Sequence, residues 1–356
     1  MDLSETHDAV GNTQEYRLSF TGSGGDYFRI WIVNLLLSIC TLGIYSAWAK
    51  VRRLQYFHRN TLLAGSGFDY HGNPVGILKG RLLVFGIFVI YQVAGFSGSL
   101  GLVYAVLGLV FLISPWMIRQ ALRFRAWNTS YRGLRFHFAG TLGEAFRAYV
   151  GRGLATAITL GLAAPWAMQG QARYKMNNLF FGQSNFEMTA TVGDYYKVFL
   201  KILGLMLLAL AISFGAIFLS YLPMAGFAPG VTPDGVAIGI IGVVAFYFVV
   251  FFLIGPYAWS RLLNLVWNNS TLGRIRFVST VRARGLLWIS LTNLLGLILT
   301  LGFYWPWAVV RLARYRAEHT ALLADGGLDD FLAHAEQDVG ATGEEAADWL
   351  DLDLGL

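Results

Sequence analysis

Apolar runs occupy residues 30–48, 82–96, 100–118, 153–169, 202–222, 236–258 and 286–308, parted by short aromatic and basic segments. A bilayer core of about 30 Å takes about 20 helical residues, so this pattern predicts a polytopic membrane protein. Shorter stretches alternate with period two and read as strands: Tyr16 to Phe20, Phe68 to His71, Leu134 to Phe138, Phe186 to Ala190 and Arg274 to Val278. They predict a small sheet on the cytoplasmic side.

Three of the runs share one pattern. Thr-Leu-Gly stands at 41–43, 159–161 and 300–302; after four intervening residues comes Trp-Ala (Trp48, Trp166, Trp307), and eight residues beyond each Trp a tyrosine (Tyr56, Tyr174, Tyr315). The copies lie 118 and 141 residues apart, and the same offsets align Asn34, Arg152 and Asn293. Matches at fixed offsets point to internal duplication. Each glycine stands where a helix C-cap wants one, and Pro165 and Pro306 stand where a new helix would begin. These A units therefore predict two half-helices with a break. B units alternate with them: a strand-like segment, then an apolar hairpin closing on a proline and a Trp-Asn pair, Pro115 with Trp127-Asn128 and Pro256 with Trp267-Asn268. The expected order is a polar segment 1–15, an integral membrane domain 16–320 of alternating A and B units, and an acidic tail 321–356 without fixed structure.

Charge selects between topologies. Residues 325–356 hold ten acids and no Lys or Arg, so the net charge of +6 hides a strongly basic body. Seven full spans would divide the basic residues 11 to 16 between the two faces, whereas spans made only by the B hairpins place all 27 on one face. Cytoplasmic loops carry the excess of Lys and Arg. The fold expected is thus α-helical and polytopic, with four full transmembrane helices, three broken or re-entrant helices and a small cytoplasmic β-sheet, both termini cytoplasmic; seven full transmembrane helices is the alternative.

The segments Phe20-Thr21-Gly22, Thr41-Leu42-Gly43-Ile44-Tyr45-Ser46-Ala47-Trp48-Ala49-Lys50 and Phe68-Asp69-Tyr70-His71-Gly72 resemble the YjgN-type family of bacterial inner-membrane proteins, a domain of unknown function. The resemblance runs over about residues 15–320 and leaves out the acidic tail. It implies a multi-pass protein of the bacterial cytoplasmic membrane and supplies no reaction, substrate or catalytic residue.

Only 13% of residues are charged and mean hydropathy is +0.52, far from an ordinary soluble domain, in which about 25% are charged. No metalloprotease, phosphate-loop or Cys/His pattern occurs, and Cys40 is the sole cysteine. No enzyme activity, cofactor or metal is expected. The aligned polar residues Asn34, Arg152 and Asn293, with Thr41, Thr159 and Thr300, form a candidate polar centre where broken helices meet; the competing reading is hydrogen bonding between helices. Trp48, Arg52, Arg53, Trp166, Arg173, Lys175, Trp307, Arg311 and Arg314 are candidate contacts to anionic lipid headgroups. The partner expected is membrane lipid rather than nucleic acid. Function divides between a passive or facilitated solute pathway or lipid-handling protein and a scaffold or assembly factor that binds a protein through its cytoplasmic face.

Overall fold

Ten short strands hydrogen-bond into a closed antiparallel barrel, and the helices leave it at one end. The computed structural model describes residues 13–221, 233–329 and 331–332. Residues 1–12, the hairpin tip at 222–232 and the acidic segment from 333 lie outside them. The strands are β1 (Thr13–Phe20), β2 (Thr61–Leu63), β3 (Ser66–Tyr70), β4 (Thr129–Tyr131), β5 (Leu134–Phe138), β6 (Leu179–Phe181), β7 (Ser184–Met188), β8 (Ser270–Leu272), β9 (Ile275–Ser279) and β10 (Thr320–Asp325). Each pairs with its neighbours in sequence, and β1 closes the ring by pairing with β10 through Thr13–Arg17 and with β2 through Leu18–Phe20.

The small sheet expected from the sequence is thereby corrected to a barrel. The five strand segments read from alternation correspond to β1, β3, β5, β7 and β9. Their partners β2, β4, β6 and β8 are only three residues long, too short to show a period of two. Tight turns fold each back on the next strand: Ala64-Gly65 and Arg132-Gly133 have positive φ at both central residues, the geometry that matches strand twist in a hairpin.

Between strands run the helices α1 (Gly24–Cys40), α2 (Ser46–Arg59), α3 (Pro74–Phe96), α4 (Leu100–Trp127), α5 (Leu142–Ala145), α6 (Arg152–Ile158), α7 (Ala164–Asn177), α8 (Val192–Tyr221), α9 (Pro233–Val249), α10 (Gly255–Asn268), α11 (Ala283–Leu299) and α12 (Trp305–Glu318), with π-helical turns at Phe146–Gly151 and Val250–Ile254. Contacts pass from each to the next and return from α12 to α1, so the helices also form a ring. Among the described residues four helical stretches are long and apolar enough to cross a membrane: Pro74–Phe96, Leu100–Trp127, Val192–Gly215 and Ile240–Asn268. Their large side chains face outward; Phe85, Ile90, Ile212 and Phe214 are all exposed, as expected of a surface whose solvent is lipid.

Each Thr-Leu-Gly segment does break a helix. Gly43, Gly161 and Gly302 have φ of 90°, 93° and 92°, and their N–H groups donate back to Ser38, Thr156 and Leu297 carbonyls at 2.7–2.8 Å, a helix C-terminal closure that wants glycine. The preceding Leu42, Leu160 and Leu301 also sit at φ 51°, at a cost of about 1 kcal/mol or more each. These leucines are 95%, 94% and 90% exposed.

Five helices, α2, α4, α7, α10 and α12, run into the barrel and end in the same joint. The cap residues are Asn60, Asn128, Asn178, Asn269 and His319. Each asparagine amide donates to the carbonyl four residues back at 2.7–3.0 Å, and His319 Nδ1 lies 2.9 Å from the Tyr315 carbonyl. The cap carbonyls then accept the N–H of Thr21, His71, Ala139, Thr189 and Thr280, the residues that follow the neighbouring long strands, at 2.8–3.0 Å. A and B units, distinct in sequence, thus deliver identical connections. The second proline-containing helix ends on Asn269, one residue beyond the Trp-Asn pair, and Asn268 instead bonds both backbone groups of Ser279.

The barrel end away from the helices is closed by the chain itself. After β10, Gly326 and Gly327 both have φ 91° and turn the chain inward. Leu328 and Leu332 are buried within the barrel core, with Phe331 packed against it. The Phe331 ring stacks on Phe181 at 6.4 Å, the Leu328 N–H donates to the Tyr16 hydroxyl at 3.2 Å, and Arg132 pairs with Asp329 at 2.5 Å. This floor predicts a change in access. In a Cys40→Ala background, a Leu63→Cys thiol inside the barrel should react faster with an impermeant maleimide once residues 327–356 are deleted, and unchanged labelling would refute the floor. Arg132→Ala should have a smaller effect, since exposed ion pairs contribute about 0.2–1 kcal/mol.

Candidate functional site: a chamber between barrel and helices

The inward positions of the strands are almost wholly apolar. Leu18, Leu63, Phe68, Tyr131, Phe136, Phe181, Phe186, Leu272, Ile275, Phe277 and Leu322 converge there. Their rings form a chain of contacts: Phe68 to Tyr131 at 4.8 Å, Phe136 to Phe181 at 4.8 Å, Phe186 to Phe277 at 5.6 Å and Trp267 to Phe277 at 5.1 Å. The Tyr131 hydroxyl reaches across to the Leu63 carbonyl at 2.7 Å. Charged side chains such as Glu187 and Arg276 alternate with these inward residues along their strands and stay exposed.

These side chains do not fill the space. Eight strands make a barrel that side chains fill or that holds one small ligand; ten leave more room. A cavity of about 690 Å³ remains between the barrel and the helix ends, within the range of small-molecule sites, about 300–1,000 Å³. Strand aromatics line its lower part and Leu328, Phe331 and Leu332 its floor. Its upper rim carries His58, Arg125, Lys175 and Arg316. Arg125, Lys175 and Arg316 each stand three residues before a cap, at Asn128, Asn178 and His319, so the five-fold joint brings residues far apart in sequence to one rim.

The rim is electrostatically one-sided. Burial and then Arg125 push the Lys175 ammonium down, and the same two causes lower the Arg316 guanidinium. Burial likewise depresses His58, against the Leu54 carbonyl 2.7 Å from its Nδ1, and Arg125 adds to the effect. Arg316 lies over the Trp259 ring at 5.4 Å. Among the described residues no ion pair reaches Arg125, Lys175 or Arg316; the carboxylates of Asp69, Asp325 and Asp329 are held by Arg59, Arg276 and Arg132. Arg125, Lys175 and Arg316 keep accessible surface at the edge of the cavity.

The residues expected to form a polar centre serve their own helix pairs. The Thr41, Thr159 and Thr300 hydroxyls donate to Leu37, Ala155 and Gly296 carbonyls and accept the N–H of Tyr45, Ala163 and Tyr304. They clamp the break. Arg152 donates to the Trp166 carbonyl at 2.8 Å and the Gln169 Oε1 at 3.1 Å, with its guanidinium 4.8 Å from the Trp166 ring centre. Asn293 Oδ1 accepts from Arg311 at 3.1 Å. Asn34 is buried with its Oδ1 unpartnered. Among the described residues no hydrogen bond joins Asn34, Arg152 and Asn293 to one another.

Comparison of the three pairs exposes a substitution that single positions conceal. The offsets that align Asn34, Arg152 and Asn293 also align Arg52, Gly170 and Arg311. In the second pair the guanidinium comes from the other helix, and Gly170 makes room for it: a Cβ there would lie 1.7 Å from Arg152 Nη1. Of the expected headgroup contacts, Arg314 donates to the Gly22 carbonyl at 2.9 Å, Arg311 also reaches Thr292, and Lys175 lines the chamber. Arg52, Arg53 and Arg173 are exposed. Arg52 and Arg53 lie 5.7 Å and 6.0 Å from the Tyr45 and Phe57 ring centres. Trp48 stacks on Tyr45 and Trp307 on Tyr304, at 6.1 and 6.0 Å. The sequence reading passed over Arg125, Arg316 and His58 as chamber residues; the shared spacing of Arg125 and Arg316 to a helix cap was the signal available.

Two outcomes follow. Gly170→Ala should destabilise the protein by about 1–3 kcal/mol through overpacking, and adding Arg152→Asn should recover much of that loss; thermal unfolding in detergent measures both, and additive losses would refute the exchange. His58 is held below its ordinary value of about 6.5, so its contribution to stability is present above that pH and is lost as pH falls through the folded value. Melting temperature should therefore fall between about pH 7.5 and about pH 5, and His58→Gln should flatten the slope. His137, which burial also lowers, should contribute to the slope that remains.

Comparison with known proteins agrees with a membrane-embedded chain. The relative from Salmonella typhimurium strain LT2, "Inner membrane protein YjgN", is 28% identical over 361 aligned residues, covering 88% of this chain and 90% of that protein. Proteins of the same name from Escherichia coli O157:H7 and strain K12 are 38% and 36% identical over 120 and 126 residues, each covering 33% of this chain and 30% of the relative. No solved structure matches. The family match extends past residue 320 and takes in most of the acidic segment. With residues 15–349 matching its profile, this chain belongs to the bacterial family DUF898, described as "Bacterial protein of unknown function".

Proposed function

We propose that the protein handles lipid in the bacterial inner membrane, receiving an apolar guest in the chamber between its barrel and its helix ring. The observation that carries this reading is the aromatic-lined cavity of about 690 Å³ beneath a ring of lipid-facing helices. The floor formed by Leu328, Phe331 and Leu332 blocks a direct route along the barrel axis, which favours holding a guest over conducting a solute. The B-hairpin tip described at Ser97–Ser99 bears no cation, while the Lys and Arg residues of the helices cluster in the turns near the barrel. By the charge rule this supports a multi-pass arrangement with the barrel and both termini cytoplasmic. Exposed Arg52, Arg53 and Arg173 then lie where they can meet anionic headgroups.

Photo-crosslinking in intact cells tests the reading. A benzoylphenylalanine at position 136, inside the barrel, should yield acyl-chain adducts by mass spectrometry. The same residue at position 180, which stacks on His137, should yield far fewer. Equal yields at both sites, or no lipid adduct at position 136, would refute a lipid-receiving chamber.

A further inference from the structure

The chamber has two chemically distinct ends, and this asymmetry defines its guest further. Below, the lining is Leu63, Tyr131, Phe136, Phe181 and Phe277; above stand Arg125, Lys175 and Arg316, from α4, α7 and α12. Resting on the chamber reading above, we propose that the guest is an amphiphile with a single anionic head, carboxylate or phosphate, seated among Arg125, Lys175 and Arg316 with its acyl chain in the aromatic barrel.

Three alternative uses of the cations are weaker. Each lies in the last turn of its helix, where the macrodipole supplies about half a negative charge. That eases each cation singly and leaves net positive charge at the rim. Arg316 gains the face of Trp259, whereas among the described residues no comparable ring contact reaches Arg125 or Lys175. The Asp69 carboxylate, close to His58 of the rim, is bound to Arg59, and among the described residues no ion pair reaches Arg125, Lys175 or Arg316. An anionic head supplies what the rim lacks, since charge-assisted hydrogen bonds to carboxylate or phosphate are about twice as strong as neutral ones. The aromatic lining suits an acyl chain, each methylene of which gains by leaving water.

Native mass spectrometry of the full-length protein released from detergent, offered four probes of equal chain length, is the test. Laurate and dodecyl phosphate should bind at least about tenfold more tightly than dodecanol or dodecyltrimethylammonium, a difference of about 1.4 kcal/mol. The triple variant Arg125→Gln, Lys175→Gln, Arg316→Gln should lose that preference while still binding dodecanol, which shows that the chamber remains folded. The double variant Arg125→Lys, Arg316→Lys should keep it. A stronger response to dodecyl phosphate than to laurate would identify a phosphate head, and the reverse a carboxylate. If dodecanol binds as tightly as the anions, or if the triple variant keeps the preference, the anionic assignment fails and the chamber reading stands. If none of the four probes binds, both fail.

Discussion

The hydrogen bond from the backbone after each long strand to the carbonyl of a helix-cap residue is the constraint on which the molecule depends. It joins the last helix of each unit back to the long strand that opens the same unit, and it recurs at Asn60, Asn128, Asn178, Asn269 and His319. A helix end leaves carbonyls without partners, and a short strand leaves its terminal N–H unpaired. The joint satisfies both at once, and the side chain satisfies a further carbonyl in the last turn. Five such joints set the spacing of the helices around the barrel, so the ring of helices and the ring of strands share one axis of construction.

Chamber and charge follow from that spacing. Three-residue strands pair with five-residue strands, so the barrel is shallow, and ten of them make it wide. Aromatic side chains narrow the lumen and leave a cavity. Because residues three positions before the caps border the same opening, Arg125, Lys175 and Arg316 meet there from separate parts of the chain. Each is favourable at its own helix terminus; together they oppose one another. The joint thus produces an electrostatic tension that no single helix contains.

The helix pairs carrying Thr-Leu-Gly show the same economy of means. Threonine clamps the break, the leucine accepts a strained φ, and glycine completes the turn. Between the helices of each pair stands a polar position, and in the second pair the guanidinium has changed sides. Arg152 and Gly170 stand where the third pair has Asn293 and Arg311. The second and third pairs share a guanidinium near the helix crossing, supplied by opposite helices. The first pair departs from this, with Asn34 left unpartnered and Arg52 turned toward Tyr45.

Sequence alone determined what depends on local composition and spacing: the apolar runs, the helix breaks at Gly43, Gly161 and Gly302, five of the ten strands, and the family to which the chain belongs. Strand partners β2, β4, β6 and β8 left no periodic trace because three residues cannot display one, and closure of the sheet rests on β1 meeting β10 across nearly the whole chain. Tertiary structure also decided the fate of the cations. Lys175 reads in sequence as one more basic residue beside an apolar run, and only the barrel brings it to the same rim as Arg125 and Arg316. Leu328, Phe331 and Leu332 are a few apolar residues at the head of an acidic segment until the glycines at 326 and 327 turn them into the lumen. Local preferences fix where a chain bends; which groups then share one low-dielectric space is settled by closure of the ring.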